Sequence, residues 1–121
     1  MAQRSKIQTV SGTVVIANGG TTANSTDFPA YVNGLVRAIY INAPDLTSSD
    51  TYTFALVGSK TGQTLYSKAS LVKNTQTNIL IDANNYPLQI PIDGACTVTI
   101  TSSGAEGAAR TFSFSLSVDK G

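Results

Sequence analysis

The side chains that most often carry out chemistry are few in this sequence, and they are widely spaced. There is no histidine, and Cys96 is the only cysteine among 121 residues. A nucleophile–histidine pair, a zinc finger and a disulfide framework are therefore excluded. Cys96 alternates with Val98 and Ile100. It is predicted to point inward, where a thiol behaves as a small hydrophobic group.

The aspartates are the remaining candidates, because paired carboxylates can act as general acid and base or hold a cation. Asp45 and Asp50 flank a short polar segment, and Asp82 and Asp93 each lie beside a predicted turn. Aspartate at such positions usually accepts hydrogen bonds from nearby backbone amides. The residues after Asp82 also lack the glycine and the final glutamate of a calcium loop. We therefore expect no catalytic residue, no metal and no cofactor.

Charge and hydropathy argue against nucleic acid and membrane partners. Eight basic residues against seven acidic ones give a net charge of +1. A nucleic-acid-binding face concentrates basic residues, whereas the densest basic stretch here is Arg4 and Lys6. No apolar run approaches the length of a membrane-spanning helix. No apolar segment of a secretory signal follows residues 1–6, so we expect folding in a cytoplasm.

Alternating apolar and polar residues predict the strands that would position these side chains. In Thr111–Asp119, four large apolar residues share one face, as in a strand with one buried side. Cys96–Thr101 has the same pattern, and a loop of small residues, 102–109, joins the two segments. They are therefore predicted to form an antiparallel hairpin. A second hairpin is predicted from 51–57 and 64–67.

These patterns predict one all-β domain. It is a single antiparallel β-sandwich of about seven to nine strands with no substantial helix, and immunoglobulin-like and jelly-roll topologies are both open. Gly34–Asn42 is expected at the centre of a sheet, and Leu88–Ile92 at an edge because prolines cannot donate to a ladder. The predicted core comprises Leu35, Ile39, Phe54, Leu56, Cys96, Val98, Ile100, Phe112, Phe114 and Leu116.

Residues 1–31 differ from the rest of the domain, 32–121. Ile7–Val10 and Thr13–Ala17 are predicted as a strand or hairpin, followed by a flexible arm at Asn18–Asp27 that has no large apolar residue. Such a segment can be the first strand of the sandwich, or it can add to a sheet edge of a neighbouring subunit. The residues predicted to contact a partner are Ile7, Val10, Val14, Ile16, Phe28, Pro29 and Tyr31.

Two short patterns resemble immunoglobulin-like modules. Asp50–Phe54 is similar to the Asp-x-x-Tyr corner of those folds. Asp93–Ile100 is similar to their Gly-x-Tyr-x-Val-x-Val strand, with Cys96 at the position of the tyrosine. This resemblance implies a binding or adhesion module and carries no catalytic residue.

Over most of the chain the sequence resembles small virion proteins of tailed phages, notably at Val36–Ile41, Leu65–Leu71 and Ala109–Phe112. The resemblance implies a non-enzymatic head decoration, or cement, protein. Such a protein would bind the major capsid protein lattice, or other virion subunits, on the outer surface of the head. It would be a homo-oligomer there, assembled in the host cytoplasm. The alternatives are an immunoglobulin-like adhesion or carbohydrate-binding module of a phage tail, and a self-assembling shell or tail subunit.

Overall fold

Nine β-strands make up the regular structure of the residues that the computed structural model describes, which are 6–26, 28, 32–59, 62–93 and 95–121. No helix occurs among these residues, which confirms the all-β prediction. In chain order the strands are β1 (Ile7–Ile16), β2 (Thr22–Asn24), β3 (Asn33–Asn42), β4 (Tyr52–Gly58), β5 (Thr64–Leu71), β6 (Gln76–Ile79), β7 (Ile90–Asp93), β8 (Cys96–Ser102) and β9 (Arg110–Asp119).

The strands form two antiparallel sheets. Sheet A has the order β1-β9-β3, with β6 and β7 both paired to β3, and sheet B has the order β2-β8-β4-β5. β6 and β7 pair with opposite ends of β3, so they lie end to end along one edge. Most strands that are consecutive in the chain lie in opposite sheets, and the first strands pair with the last ones, β1 with β9 and β2 with β8, so the sandwich is a jelly roll. An immunoglobulin fold would keep its first two strands in one sheet, whereas β1 and β2 lie in different sheets.

The predicted hairpin between Cys96–Thr101 and Thr111–Asp119 is wrong. β8 lies in sheet B between β2 and β4, whereas β9 lies in sheet A between β1 and β3. The connection 103–109 therefore crosses from one sheet to the other. Alternation identifies the buried face of a strand but not its neighbour, because both sheets of a sandwich bury one face. The predicted β4–β5 hairpin is confirmed, as are the central position of β3 and the edge position of β7.

The core is formed by the inward faces of both sheets. Nine of the ten predicted core residues are buried, and Leu35 is the exception. An uninterrupted strand would place Leu35 and Ile39 on the same face. The register of β3 against β9 shifts between Val36 and Ala38, so one extra residue lies between them. This bulge puts Leu35 out of phase, and Val36 is buried in its place.

The N-terminal segment lies in the sandwich. β1 is one continuous strand that pairs with β9 along its whole length, from Ile7 opposite Asp119 to Ile16 opposite Arg110. Within the stretch predicted as an arm, Thr22–Asn24 pairs with β8 as β2. Ala23 packs against the core.

Gly34 has a position that no other residue can take without strain. Its φ is +137°, and a Cβ placed there would lie 2.3 Å from the carbonyl oxygen of Asp119. Gly34→Ala is expected to lower the free energy of unfolding by about 2–3 kcal/mol, from backbone strain together with the displaced β9 end. Urea unfolding measures this. The control is Gly62→Ala, where φ is +70° but no atom lies within 4 Å. Equal losses for the two variants would contradict the close contact.

Candidate functional site

Most of the side chains predicted to contact a partner belong to the core of this chain. Val10, Val14, Ile16 and Phe28 are buried, and the ring centroids of Phe28 and Phe114 lie 6.2 Å apart. A partner can reach the three of these side chains that lie on β1 only if this strand leaves sheet A. Ile7 is 50% exposed at the start of β1, whereas Pro29 and Tyr31 lie outside the described residues. The partner interface therefore stays a prediction, with Ile7 as its accessible member.

A second exposed apolar group lies between β6 and β7. We call residues 80–89 the apolar loop, because Leu80 and Ile81 are half-exposed there and Tyr86 is 66% exposed. Sequence reasoning did not identify this loop as a candidate site. The consecutive apolar residues 79–81 were the available signal, because an edge strand with one buried face cannot bury all three.

Hydrogen bonds fix the shape of the apolar loop. The Oδ1 atom of Asp82 accepts the backbone N–H groups of Asn84 and Tyr86, at 2.8 and 3.1 Å. The backbone N–H of Leu88 donates to the carbonyl of Leu80 at 3.0 Å, and the Leu88 side chain is buried. Asp82 thus has the turn-forming role predicted for it. The loop presents its apolar side chains on an ordered turn, which reduces the entropy lost when a partner binds.

At one end of the sandwich, three connections meet at the buried carboxylate of Glu106. Its Oε1 accepts the backbone N–H of Thr47 at 2.9 Å and Arg110 Nε at 3.0 Å. Its backbone exchanges hydrogen bonds with the β1–β2 connection, from Gly19 N–H at 2.7 Å and to the Gly20 carbonyl at 3.0 Å. Sequence reasoning missed Glu106, since a single glutamate in a glycine-containing stretch gives no pattern.

The carboxyl groups of Asp50 and Glu106 influence each other's pKa. Burial alone would raise the pKa of Glu106, but hydrogen bonds from Thr47, Asp50 and Arg110 bring the pKa below its ordinary value of 4.5. The pKa of Asp50 is raised above 3.8, first by its hydrogen bond to Glu106 and then by burial and by repulsion from that carboxylate. Of the two carboxyl groups, Asp50 is therefore the one that takes up a proton first as the pH falls. Since Glu106 is almost fully buried and bound to Arg110, this pair links loops and offers no access to a substrate.

These opposite shifts predict a specific pH dependence of stability. Because the pKa of Asp50 is raised, this carboxyl group contributes stability to the folded protein at low pH. The contribution is lost as the pH rises from 3.8 through the raised pKa. The lowered pKa of Glu106 contributes stability that is lost as the pH falls below 4.5.

Asp50→Asn keeps a donor toward Glu106 but cannot ionise. We expect this variant to lack only the loss of stability that the wild type shows as the pH rises through the pKa of Asp50. Urea midpoints between about pH 3 and pH 7 measure this, and the difference between the two proteins isolates Asp50. Parallel profiles for the two proteins would contradict the pairing.

The outer face of sheet A carries a shallow trough of about 540 Å³. Hydroxyl and amide side chains line it, together with Tyr40, Ile41 and Phe114. In the described part of the chain, no group of three or more His, Cys, Asp or Glu residues could hold a metal ion. No helix long and apolar enough to cross a membrane occurs among the same residues. Cys96 is buried, as predicted.

No known family model matches this chain, and no curated protein matches its sequence. It is similar to a protein of the Cyanophage Pam1 capsid asymmetric unit, with a TM-score of 0.65 and 16% identity over 97% of this chain and 86% of that one. The Bacillus endospore appendages, described as disulfide-linked pili, give a TM-score of 0.52 and 13% identity over 98% and 93%. The acidic stable capsid of Helicobacter pylori bacteriophage KHP30 gives 0.50 and 10% over 93% and 92%. At these identities the likeness establishes the fold alone, which this chain shares with phage capsid proteins.

Proposed function

We propose that this protein is a non-enzymatic structural component of a phage virion, and specifically a head decoration protein that binds the major capsid protein lattice from outside. The observation that carries the proposal is the similarity to the Pam1 capsid protein, because it extends over 97% of this chain. The resemblance of the sequence to small virion proteins points in the same direction.

The surface chemistry supports attachment to a lattice. The apolar loop displays Leu80, Ile81 and Tyr86 on an ordered turn, and aromatic side chains are common anchors of protein interfaces. The net charge of +1 gives little repulsion between copies packed side by side. A single small contact binds weakly, but repetition over a symmetric lattice multiplies its effect. We assign the lattice contact to the apolar loop.

We keep the predicted contact of the N-terminal segment with another subunit, but limit it to the exposed part of β1. With Val10, Val14 and Ile16 in the core, β1 can contact another subunit through Ile7 and through its open edge. Deletion of the whole segment would expose Phe114 and unpair β9, so it would test folding more than binding. Point substitutions of exposed residues separate the two effects.

A self-assembling pilus-like subunit is a weaker alternative. The Bacillus appendages are disulfide-linked, whereas Cys96 is the only cysteine of this chain and is buried. A bond between two copies would require β8 to open.

A carbohydrate-binding module is a further alternative, because the hydroxyl and amide groups that line the trough of sheet A can form hydrogen bonds with a sugar. Among the described residues that line the trough, Tyr40 is the one aromatic side chain on the outer face, and a single aromatic gives a small stacking surface.

Co-sedimentation with undecorated heads of the phage whose genome carries this gene tests the proposal. We expect the wild type to pellet with the heads and the double variant Leu80→Ser, Tyr86→Ser to lose at least about tenfold in affinity, as for two truncated anchors. Val72→Ser is the matched control, since Val72 is 61% exposed outside the loop. Ile7→Ser tests the N-terminal contact.

Circular dichroism would verify that each variant is folded. Wild-type protein that stays in the supernatant at lattice-saturating concentrations would overturn the decoration function. Equal binding by the loop variant and Val72→Ser would remove the loop as the contact.

A further inference from the structure

Three of the four outer edges of the two sheets carry features that hinder pairing with another strand. β2 has only three residues. β5 has Lys68 at its middle, and its register with β4 shifts at two places. The β6–β7 edge is interrupted by the apolar loop and contains Pro91. Short strands, lysine, bulges and proline are the devices by which proteins protect sheet edges.

The edge formed by β1 has none of these features. It is ten residues long, and it contains neither a charged residue nor proline. Its register against β9 continues without a bulge. Ile7 and Val15, near its two ends, are about half-exposed. Such an edge is a ready template for another strand.

The backbone of β1 directs alternate residues to this edge. The N–H of Lys120 donates to the carbonyl of Lys6 at 2.9 Å, so the residues of even number face β9. The odd residues therefore point their N–H and carbonyl groups away from sheet A. These outward-facing residues are Ile7, Thr9, Ser11, Thr13 and Val15. Within the described residues, no other segment forms a hydrogen bond with their backbone N–H or carbonyl groups.

We propose that two copies of this chain pair through β1, antiparallel about a two-fold axis at Ser11. This register places Ile7 opposite Val15 of the second copy, and Thr9 opposite Thr13. Ser11 meets its own counterpart. All five outward-facing residues then form hydrogen-bonded pairs, giving about ten backbone hydrogen bonds. The two copies of sheet A become one continuous sheet.

The pattern of side chains identifies the occupant as a second copy. The exposed face of β1 carries, in order, Ile, Thr, Ser, Thr and Val. This order is chemically the same in both directions, so an antiparallel copy matches apolar with apolar and hydroxyl with hydroxyl. Shifting the register by two residues in either direction places Ile7 or Val15 opposite a threonine. A two-fold interface needs such a self-complementary patch, and an unrelated strand would not.

The size of the interface sets the expected strength. One strand edge with two apolar pairs is at the small end of protein interfaces. The dimer is therefore expected to form at micromolar concentrations and to dissociate on dilution. It does not depend on attachment to a capsid, so it stands even if the proposed function fails.

Sedimentation velocity of the purified full chain tests the proposal in the absence of heads. We expect wild-type protein to approach twice the 12.6 kDa of one chain as its concentration rises. Ser11→Lys brings two ammonium groups together at the axis and is expected to leave only monomer. Ser113→Lys, the same change on the same face one strand inward, is expected to dimerise as the wild type does. A wild type that stays monomeric at millimolar concentration, or Ser11→Lys that still dimerises, overturns the proposal.

A cross-linking measurement examines the register independently. In a hydrogen-bonded antiparallel pair the Cα atoms lie about 5.5 Å apart, within the range a disulfide spans. Ser11→Cys is expected to yield a covalent dimer under mild oxidation, and Ser113→Cys is expected to remain monomeric. The buried Cys96 is present in both variants and gives the same background. Equal cross-linking by the two variants contradicts the two-fold axis at Ser11. Head binding is measured separately, so failure of one proposal is distinguishable from failure of the other.

Discussion

Phe114→Ala is expected to lower the free energy of unfolding by about 3–5 kcal/mol, the usual loss for removing a buried aromatic ring. The ring lies between the sheets beside Phe28 and is 4% exposed. It also occupies the space beneath Gly12, where an added Cβ would lie 2.8 Å from the Phe114 Cζ atom. Because the backbone at Gly12 cannot supply a side chain to refill the space, most of the cavity is expected to persist.

The neighbouring Ser113→Ala is the matched control for this variant. Ser113 points to solvent from the same strand, and its replacement is expected to change stability by less than about 0.5 kcal/mol. Equilibrium urea unfolding of both variants measures the difference. Equal midpoints would mean that the inward and outward faces of β9 are assigned the wrong way round.

Arg110→Ala is expected to have a similarly large effect, about 3 kcal/mol, because it leaves the buried Glu106 carboxylate without its cationic partner. The Arg110 Nε atom lies 3.0 Å from Glu106 Oε1, and the Glu106 side chain is 0% exposed. A second substitution, Glu106→Gln in the Arg110→Ala background, removes the stranded charge and is expected to restore part of the loss.

A surface arginine provides the comparison. Arg37 Nη2 lies 3.3 Å from Asp119 Oδ2, but these side chains are 39% and 31% exposed. Solvent screens this pair, so Arg37→Ala is expected to lower stability by at most about 1 kcal/mol. Thermal and urea unfolding of both arginine variants decide the matter. If they lose the same stability, burial of Glu106 is not what makes the Arg110 pair important.

Much of the fold was predictable because strand alternation is a local property. The inward residues of β4, β8 and β9 follow from a period of two in the sequence. Which strands are neighbours was not predictable in the same way. The loop predicted at 102–109 was interpreted as closing a hairpin, but this connection spans the gap between the sheets. Leu35 was misplaced for a related reason, since one bulged residue inverts the phase of everything before it.

The candidate sites were less predictable than the core. An apolar segment such as Val10–Ile16 has the same sequence signature whether it fills its own core or docks on a partner. Glu106 is important because connections that are distant in sequence contact it. Such long-range contacts cannot be predicted from the amino-acid composition. The open edge of β1 became visible only when all edges of both sheets could be compared.

The position of β9 between β1 and β3 has a consequence for the order of folding. Ile7 pairs with Asp119, so sheet A cannot close until nearly the whole domain has been synthesised. β1 is synthesised early, and its apolar side chains stay exposed to water while the strands of sheet B are made. Long-range pairing of this kind slows folding and exposes strands to aggregation meanwhile. We therefore expect sheet A to form only after β9 has been synthesised, with β1 the segment most in need of chaperone protection until then.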